Sequence, residues 1–344
     1  MSLPKLLPAL FLTLALALTL AIHLPAIPAP AQPLPAQPAP APAQPPPAPA
    51  QPPPAQPLPP AQPQDCRLEA YRNAPPEEKY RLIGLCFAGI KPTAWGSDLP
   101  GVYTRFAPSE DGRTRVALTL DACGGGAGNA VDIRIIRLLN ELNIPATLFL
   151  NARWIKANPA VAAELAVNPL FELENHGLKH KPLSVNGREI YGLSGTASPD
   201  EAAREVEGGA AKLMELTGRR PLFFRSGTAY YDDVALKILS ALDCKAVGFS
   251  IIGDAGGTLP ASKVAAALRG ARDGDIVILH FNRPKSGTYE GLAQALPDLL
   301  ARDVIFVRLN ETRLETGPTP AVFHPSPPPL QAQPRGRDVP QPQP

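Results

Sequence analysis

The sequence predicts an α/β fold, a distorted (β/α) barrel of about seven parallel strands over residues 113–312. Three observations carry this expectation. Short apolar runs alternate with helical stretches between Arg115 and Leu309. The runs are continuously apolar rather than alternating, as in strands covered on both faces. Polar residues capable of chemistry recur just after the runs end, where barrels place their functional groups.

Val116-Ala117-Leu118-Thr119-Leu120 opens the series and stops at Asp121 and a glycine cluster. Residues 131–142 have helical periodicity, and Ala146-Thr147-Leu148-Phe149-Leu150 follows. Leu170-Phe171-Glu172-Leu173 leads into a histidine pair. Residues 199–217 read as a helix, with Ser198 as N-cap and Gly218 just past its end. Leu222-Phe223-Phe224, Ala246-Val247-Gly248-Phe249-Ser250, Ile276-Val277-Ile278-Leu279 and Val304-Ile305-Phe306-Val307 complete the set. A doubly wound sheet fits the alternation equally well. The polar residues after the strand ends (Asp121, the histidine pair, Arg225, Asp254 and His280) decide for a barrel.

The rest of the 344-residue chain reads differently. Residues 1–31 resemble a signal peptide or signal anchor: Lys5 is a short positive region, residues 6–24 are apolar, and Ala29-Pro30-Ala31 offers a small-x-small cleavage site. The apolar run nearly matches a bilayer span, which leaves membrane anchoring through this segment open. Residues 32–64 form a Pro/Ala/Gln-rich linker. Such a tract cannot bury apolar surface and favours extended polyproline II, about 3.1 Å per residue. Residues 65–112 are expected to be a small N-terminal extension, and residues 317–344 a Pro-rich disordered tail. An exported, periplasmic or cell-envelope location follows from the N-terminus. A net charge of +2 without a basic block argues against nucleic acid as a partner. In an oxidising compartment Cys66 and Cys86 could staple the extension, while Cys123 and Cys244 read as buried free thiols.

The chain has five histidines, so the pair His176 and His180, four residues apart after a strand, is informative. Neutral imidazoles so spaced can converge on a divalent metal such as zinc, although a solvated loop would look the same. Asp121 could be a metal ligand, a general base or a turn-capping residue. Arg225 could hold a carboxylate or form a surface ion pair. Asp254 could orient a histidine or merely serve a glycine-rich turn. His280 emerges from a buried strand, where a satisfied core histidine is the ordinary outcome. In this company a catalytic role becomes the better reading.

Taken together these segments resemble the polysaccharide deacetylases, carbohydrate esterase family four, with the NodB-homology domain. The resemblance covers roughly residues 113–310 and rests on five motifs in order. Thr119-Leu120-Asp121-Ala122 resembles the first motif, usually Thr-Phe-Asp-Asp. Asn175-His176-Gly177-Leu178-Lys179-His180 resembles the second, and Phe224-Arg225-Ser226-Gly227 the start of the third. Asp254 lies where the fourth has its Asp, and Leu279-His280 resembles the fifth. The resemblance implies a barrel with fewer than eight strands and release of acetate from an N-acetylated polysaccharide, such as peptidoglycan or a related GlcNAc-containing glycan. It implies Asp121 as general base, Arg225 positioning it, His280 as general acid oriented by Asp254, and His176 and His180 as ligands of a divalent metal, zinc being the expected ion.

Two departures bear on that expectation. Ala122 stands where the family has a second Asp that binds metal, and a methyl group cannot coordinate. Water, Cys123, Asp121 or Asp254 would have to complete the ligand set, or the metal is lost. Cys123 suits zinc chemically, but as the next residue along a strand its side chain is expected to point away from the Ala122 position. The third motif lacks its usual prolines, and Tyr230 and Tyr231 there could stack on sugar or pack in the core. Two rival readings remain: a metal-free amidohydrolase of the same superfamily and a non-catalytic binder of cell-wall glycan.

Overall fold

The computed structural model describes residues 74–315; the N-terminal apolar segment, the linker, Cys66 and the C-terminal tail lie outside the described residues. Among the described residues no helix is long and apolar enough to cross a membrane. After helix α1 (Pro76–Cys86), strands β1 (Val102–Tyr103) and β2 (Arg105–Phe106) lead into the longest strand, β3 (Arg115–Ala122). The chain then alternates through α2 (Ile133–Glu141), β4 (Ala146–Leu150), α3 (Ala152–Ala157), α4 (Pro159–Val167) and β5 (Phe171–Asn175). Helix α5 (Pro199–Thr217), β6 (Phe223–Phe224), α6 (Asp233–Ala241), β7 (Lys245–Val247) and β8 (Ile251–Ile252) follow. Helix α7 (Ala261–Arg269), β9 (Asp275–His280), α8 (Thr288–Ala301), β10 (Ile305–Phe306) and β11 (Leu314–Glu315) complete the series.

Strands β9, β3, β4, β5, β6 and β7 lie side by side and parallel. Strand β10 pairs with the beginning of β3, whereas β4 pairs with its end. Immediately after β7, β8 pairs in parallel with β9. One stretch of chain thus brings the two ends of the sheet together, and a nearly closed, distorted barrel results. The predicted α/β barrel is what the chain forms. The run at residues 246–250 is not one strand: β7 ends at Val247, and the chain rejoins the sheet as β8 at Ile251. The Gly248 N–H still donates to the Tyr103 carbonyl at 2.8 Å, the last bond of the β7–β1 ladder, and the chain leaves the ladder beyond it. Residues 102–106, expected within a separate extension, join the barrel sheet: β1 beside β7, and β2 antiparallel to β9 and β11.

The alternation of side chains separates two environments. Val116, Leu118, Leu120 and Ala122 of β3 face outward into the main apolar layer under the helices, with Leu148, Leu150, Leu173, Val277 and Leu279. Ala117 faces inward with Phe149, Phe223, Val247 and Ile276. This inner face also carries buried polar groups. Thr147 donates to Glu172 at 2.7 Å, and Glu174 accepts the Phe223 N–H at 2.7 Å while burial pushes its carboxyl up to about 8. At roughly 1.5–3 kcal/mol per buried large aliphatic side chain, the outer layer carries most of the hydrophobic stabilisation. The inner face is therefore free to hold chemistry.

Helix α5 begins and ends as its sequence signals. Ser198 caps its start by accepting the Glu201 N–H, and Gly218 closes it in the left-handed region at φ 72°. Helix α1 docks on it through the Lys79–Glu207 ion pair at 2.8 Å, with the Arg204 guanidinium 4.5 Å from the Tyr80 ring centre. Cys86 at the end of α1 is disulfide-bonded, while Cys123 and Cys244 are free and buried.

Burial alone would raise the Glu207 carboxyl, but Arg220 and Lys79 outweigh it and hold it below its ordinary value of 4.5. A carboxyl lowered by folding stabilises the fold above its unfolded value and ceases to do so as pH falls through the folded one. Glu207→Gln should therefore cost about 2 kcal/mol at pH 7. In urea melts across pH, the gap from the parent should narrow below pH 4.5. A gap constant with pH would assign the loss to packing instead.

Candidate active site

The register of β3 against β9 sets Asp121 directly beside His280 at the C-terminal end of the barrel. Both lie on the inner face, two residues beyond inward-facing neighbours. Arg225, one residue past β6, reaches across the interior and is fully buried. It donates to Asp121 Oδ1 at 2.8 Å, Thr119 Oγ1 at 2.9 Å, the Gly248 carbonyl at 2.8 Å and the Val247 carbonyl at 3.3 Å. Its guanidinium carbon lies 4.2 Å from the Phe149 ring centre. The other Asp121 oxygen lies 3.7 Å from His176 Nε2.

His176 follows β5. Its Nδ1 lies 2.8 Å from the Arg225 carbonyl; that oxygen can only accept, so Nδ1 carries the proton and Nε2 presents its lone pair to the site. His180 returns to meet it, the two rings 4.9 Å apart between centroids and nearly perpendicular. The intervening loop is pinned by groups that carried no signal in the sequence. Glu205 of α5 accepts the N–H groups of Lys179 at 2.9 and 3.0 Å and of Lys181 at 3.2 Å. The Asn151 amide donates to the carbonyls of His176 and Gly177, both at 2.8 Å. Gly177 has φ 80°, and an added Cβ there would meet the Glu205 carboxylate.

Asp254 is buried and engages His280 twice. It accepts the backbone N–H at 2.7 Å and holds ring Nδ1 at 2.8 Å, with Thr288 Oγ1 donating at 2.9 Å. Burial opposes a charged His280, but the Asp254 carboxylate outweighs it and raises the imidazole well above its usual value. The sequence-predicted residues thus form two pairs, Arg225–Asp121 and Asp254–His280, with the two histidines beside them. Asn282, two residues past His280, is buried, and its amide donates to the Gly128 carbonyl at 2.9 Å. That bond ties the loop after β9 to the glycine loop after β3.

Ala122 faces the outer apolar layer, whereas Cys123 faces the site. The expectation that Cys123 points away was drawn relative to Ala122; counted from Asp121, it is the second residue along and falls on the same face. Its sulfur and one ring nitrogen each from His176 and His180 all lie within 4.8 Å of one another. Nε2 of both histidines is buried without a hydrogen-bond partner among the described residues. Buried imidazole nitrogens are seldom left so. Burial pushes the Cys123 thiol up, but His180, His176 and His280 outweigh it and hold it well below its usual value. Burial lowers His180; it also opposes charge on His176, which Asp121 and Cys123 nevertheless raise. These residues fit a divalent ion: unpartnered donors, buried and convergent, with an ionisable thiol among them.

Barrel, paired carboxylate–cation groups and convergent imidazoles bring together the residues that the motif resemblance singles out. Residues 109–247 match the polysaccharide deacetylase family model. The matched segment ends before Asp254 and His280, which the fold itself brings to the site. A curated relative, a bifunctional xylanase/deacetylase from Pseudobutyrivibrio xylanivorans, is 25% identical over 210 residues, 60% of this chain but only 32% of the relative. The chain thus spans about a third of that protein. Among solved structures, a carbohydrate esterase family four pseudoenzyme from Bacillus anthracis superposes with TM-score 0.51 at 22% identity, covering 62% of this chain and 70% of its own. A peptidoglycan N-acetylglucosamine deacetylase superposes with TM-score 0.51 at 19% identity, covering 62% and 92%. These two likenesses are of fold.

An added Cβ at Gly227 would collide with the backbone and ring of His180. Gly227→Ala should displace His180 and lower stability by about 1–3 kcal/mol, the usual penalty for overpacking. Differential scanning calorimetry should show a melt lower by several degrees. An unshifted melt would show that the loop yields without strain.

Proposed function

We propose that the domain removes N-acetyl groups from an extracytoplasmic polysaccharide, peptidoglycan or a related GlcNAc-containing glycan, in a metal-dependent hydrolysis. The observation that carries this reading is the register that sets Asp121, anchored by Arg225, directly beside His280, anchored by Asp254. Amide hydrolysis needs a base to take a proton from the attacking water and an acid to give one to the departing amine. Asp121 is the base, its free oxygen turned toward the histidine cluster. His280 is the acid, its Nδ1 occupied by Asp254 so that Nε2 serves the amine. Arg225 fixes the base and prevents it from rotating out of line. His176 and His180 hold the divalent ion, zinc being the expected one. Such an ion supplies polarisation of the amide carbonyl and a lowered pKa for a bound water.

The rim supports a sugar substrate. Tyr231 is fully buried in the core, but Tyr230 is half-buried beside Trp95, with ring centroids 5.7 Å apart, and beside Tyr191 at 5.9 Å. Tyr191 is 63% exposed. Aromatic faces of this kind offer stacking surface for the apolar side of a pyranose. The export-like N-terminus supports a location in the envelope, where such glycans lie. A second reading, a glycan binder without turnover, draws on Ala122, which removes the family's carboxylate ligand.

Acetate release from N-acetylated glycan oligomers, measured with metal content, separates the readings. The parent should release acetate, and Asp121→Asn should lose at least 100-fold in kcat while keeping the fold. Binding of glycan without acetate from any oligomer would establish the second reading. Turnover undiminished after complete chelation would establish a metal-free hydrolase.

Trp95→Ala should raise KM several-fold with little change in kcat, since stacking binds ground and transition states alike. A fall in kcat alone would place Trp95 in the chemistry rather than in binding.

A further inference from the structure

We propose that Cys123 is the third protein ligand, so that the metal centre is a Cys–His–His tripod and not the carboxylate–histidine set that the motif resemblance implies. The proposal rests on the metal-dependent reading for the presence of an ion and extends it to what holds that ion. Four observations converge. Cys123 directly follows β3, two residues after Asp121, and is buried. The three donor atoms lie within 4.8 Å of one another. Nε2 of His176 and of His180 is buried and unpartnered among the described residues. The backbone on either side of Cys123 is fixed: the Asn151 N–H donates to the Ala122 carbonyl at 3.0 Å, and the Gly124 N–H donates to the Gly128 carbonyl at 3.1 Å. Gly124, at φ 67°, lies so close to the Trp154 amide that any side chain there would clash. The sulfur is thus presented by a rigid turn.

Cys244 gives the contrast. It too is buried and free, but burial pushes its thiol up, and its sulfur lies against backbone, 3.7 Å from the Leu222 carbonyl. Cys244 is a packing cysteine, whereas Cys123 is surrounded by imidazoles.

A thiolate carries the same single negative charge as the carboxylate it would replace, so the charge of the ligand set is conserved. Its softness is not. Thiolate with two imidazoles favours zinc and cobalt and disfavours magnesium and calcium, which prefer oxygen. The centre should accordingly be selective among ions. Cys123 also neighbours the Asp254–His280 pair, an arrangement compatible with a cysteine nucleophile. That role leaves the unpartnered nitrogens of His176 and His180 without a purpose. Ligation accounts for both.

The test is cobalt substitution of the purified full chain. Bound Co(II) should show an intense near-ultraviolet thiolate-to-metal charge-transfer band beside its weaker visible bands. Cys123→Ser should lose the band and weaken zinc binding by about 100-fold, whereas Cys244→Ser should keep both. Cys123→Asp should bind metal without the band and shift preference toward oxygen-loving ions. Visible bands without charge transfer, unchanged zinc affinity in Cys123→Ser, or no cobalt uptake would each overturn the ligand assignment. A thioester on Cys123, detected by mass spectrometry after incubating metal-free protein with acetylated glycan, would overturn it in favour of the nucleophile. Failure of the two readings is distinguishable. A charge-transfer band without acetate release sinks the hydrolase and leaves the ligand standing; acetate release without the band does the reverse.

Discussion

A guanidinium sealed inside a barrel must have all its partners in place, and Arg225 imposes that constraint on everything around it. Removing such a cation from water costs several kcal/mol unless its donors are satisfied with good geometry. Here the acceptors come from β3, through Thr119 and Asp121, and from the chain leaving β7, through the carbonyls of Val247 and Gly248. The break between β7 and β8 supplies the Gly248 carbonyl, free of the ladder. The irregularity that interrupts the strand is thus one of the conditions for burying the charge. Arg225 also uses its own carbonyl to fix His176. One residue therefore sets the orientation of both a carboxylate and an imidazole, which approach each other to 3.7 Å.

The outer and inner faces of the barrel divide the labour of stability and chemistry. The outward residues of β3, β4, β5 and β9 pack under the helices as one apolar layer. Inward positions can then hold Thr119, Asp121, Glu172, Glu174 and Arg225, each costly to bury, because the fold does not depend on that face for its hydrophobic stabilisation. The same division explains Ala122. At its outward position it meets apolar neighbours and is fully buried, so a small side chain packs well there.

The strands were legible because a strand buried on both faces must be apolar throughout, and few other elements show such short continuous runs. Asp121, His176, His180, Arg225, Asp254 and His280 were legible because they follow those runs directly. Glu205, Asn151 and Thr288 were not. They act on the site from helices and a strand end, through bonds spanning 24 to 34 residues that no local pattern encodes. The direction of Cys123 was within reach of strand periodicity, provided the count began at Asp121. Cys123 does point away from Ala122, and because Ala122 faces the outer layer, that direction is toward the site. The buried state of Asn282 could not be read, because it depends on the glycine loop folding back over it.

Ala122 and Cys123 are best understood as one change rather than two. If only the residue at 122 is considered, the site looks as though it has lost an anionic ligand, and loss of function is the natural inference. A donor that can ionise, the Cys123 thiol, stands one residue further along, on the side that faces the histidines. The sulfur reaches them because the chain leaves β3 through Gly124 and Gly125, both at positive φ, and the tight turn holds Cys123 over the mouth of the barrel. A divalent ion responds to the charge, number and direction of its donors, not to their place in a motif. By those criteria the set formed by Cys123, His176 and His180 is complete.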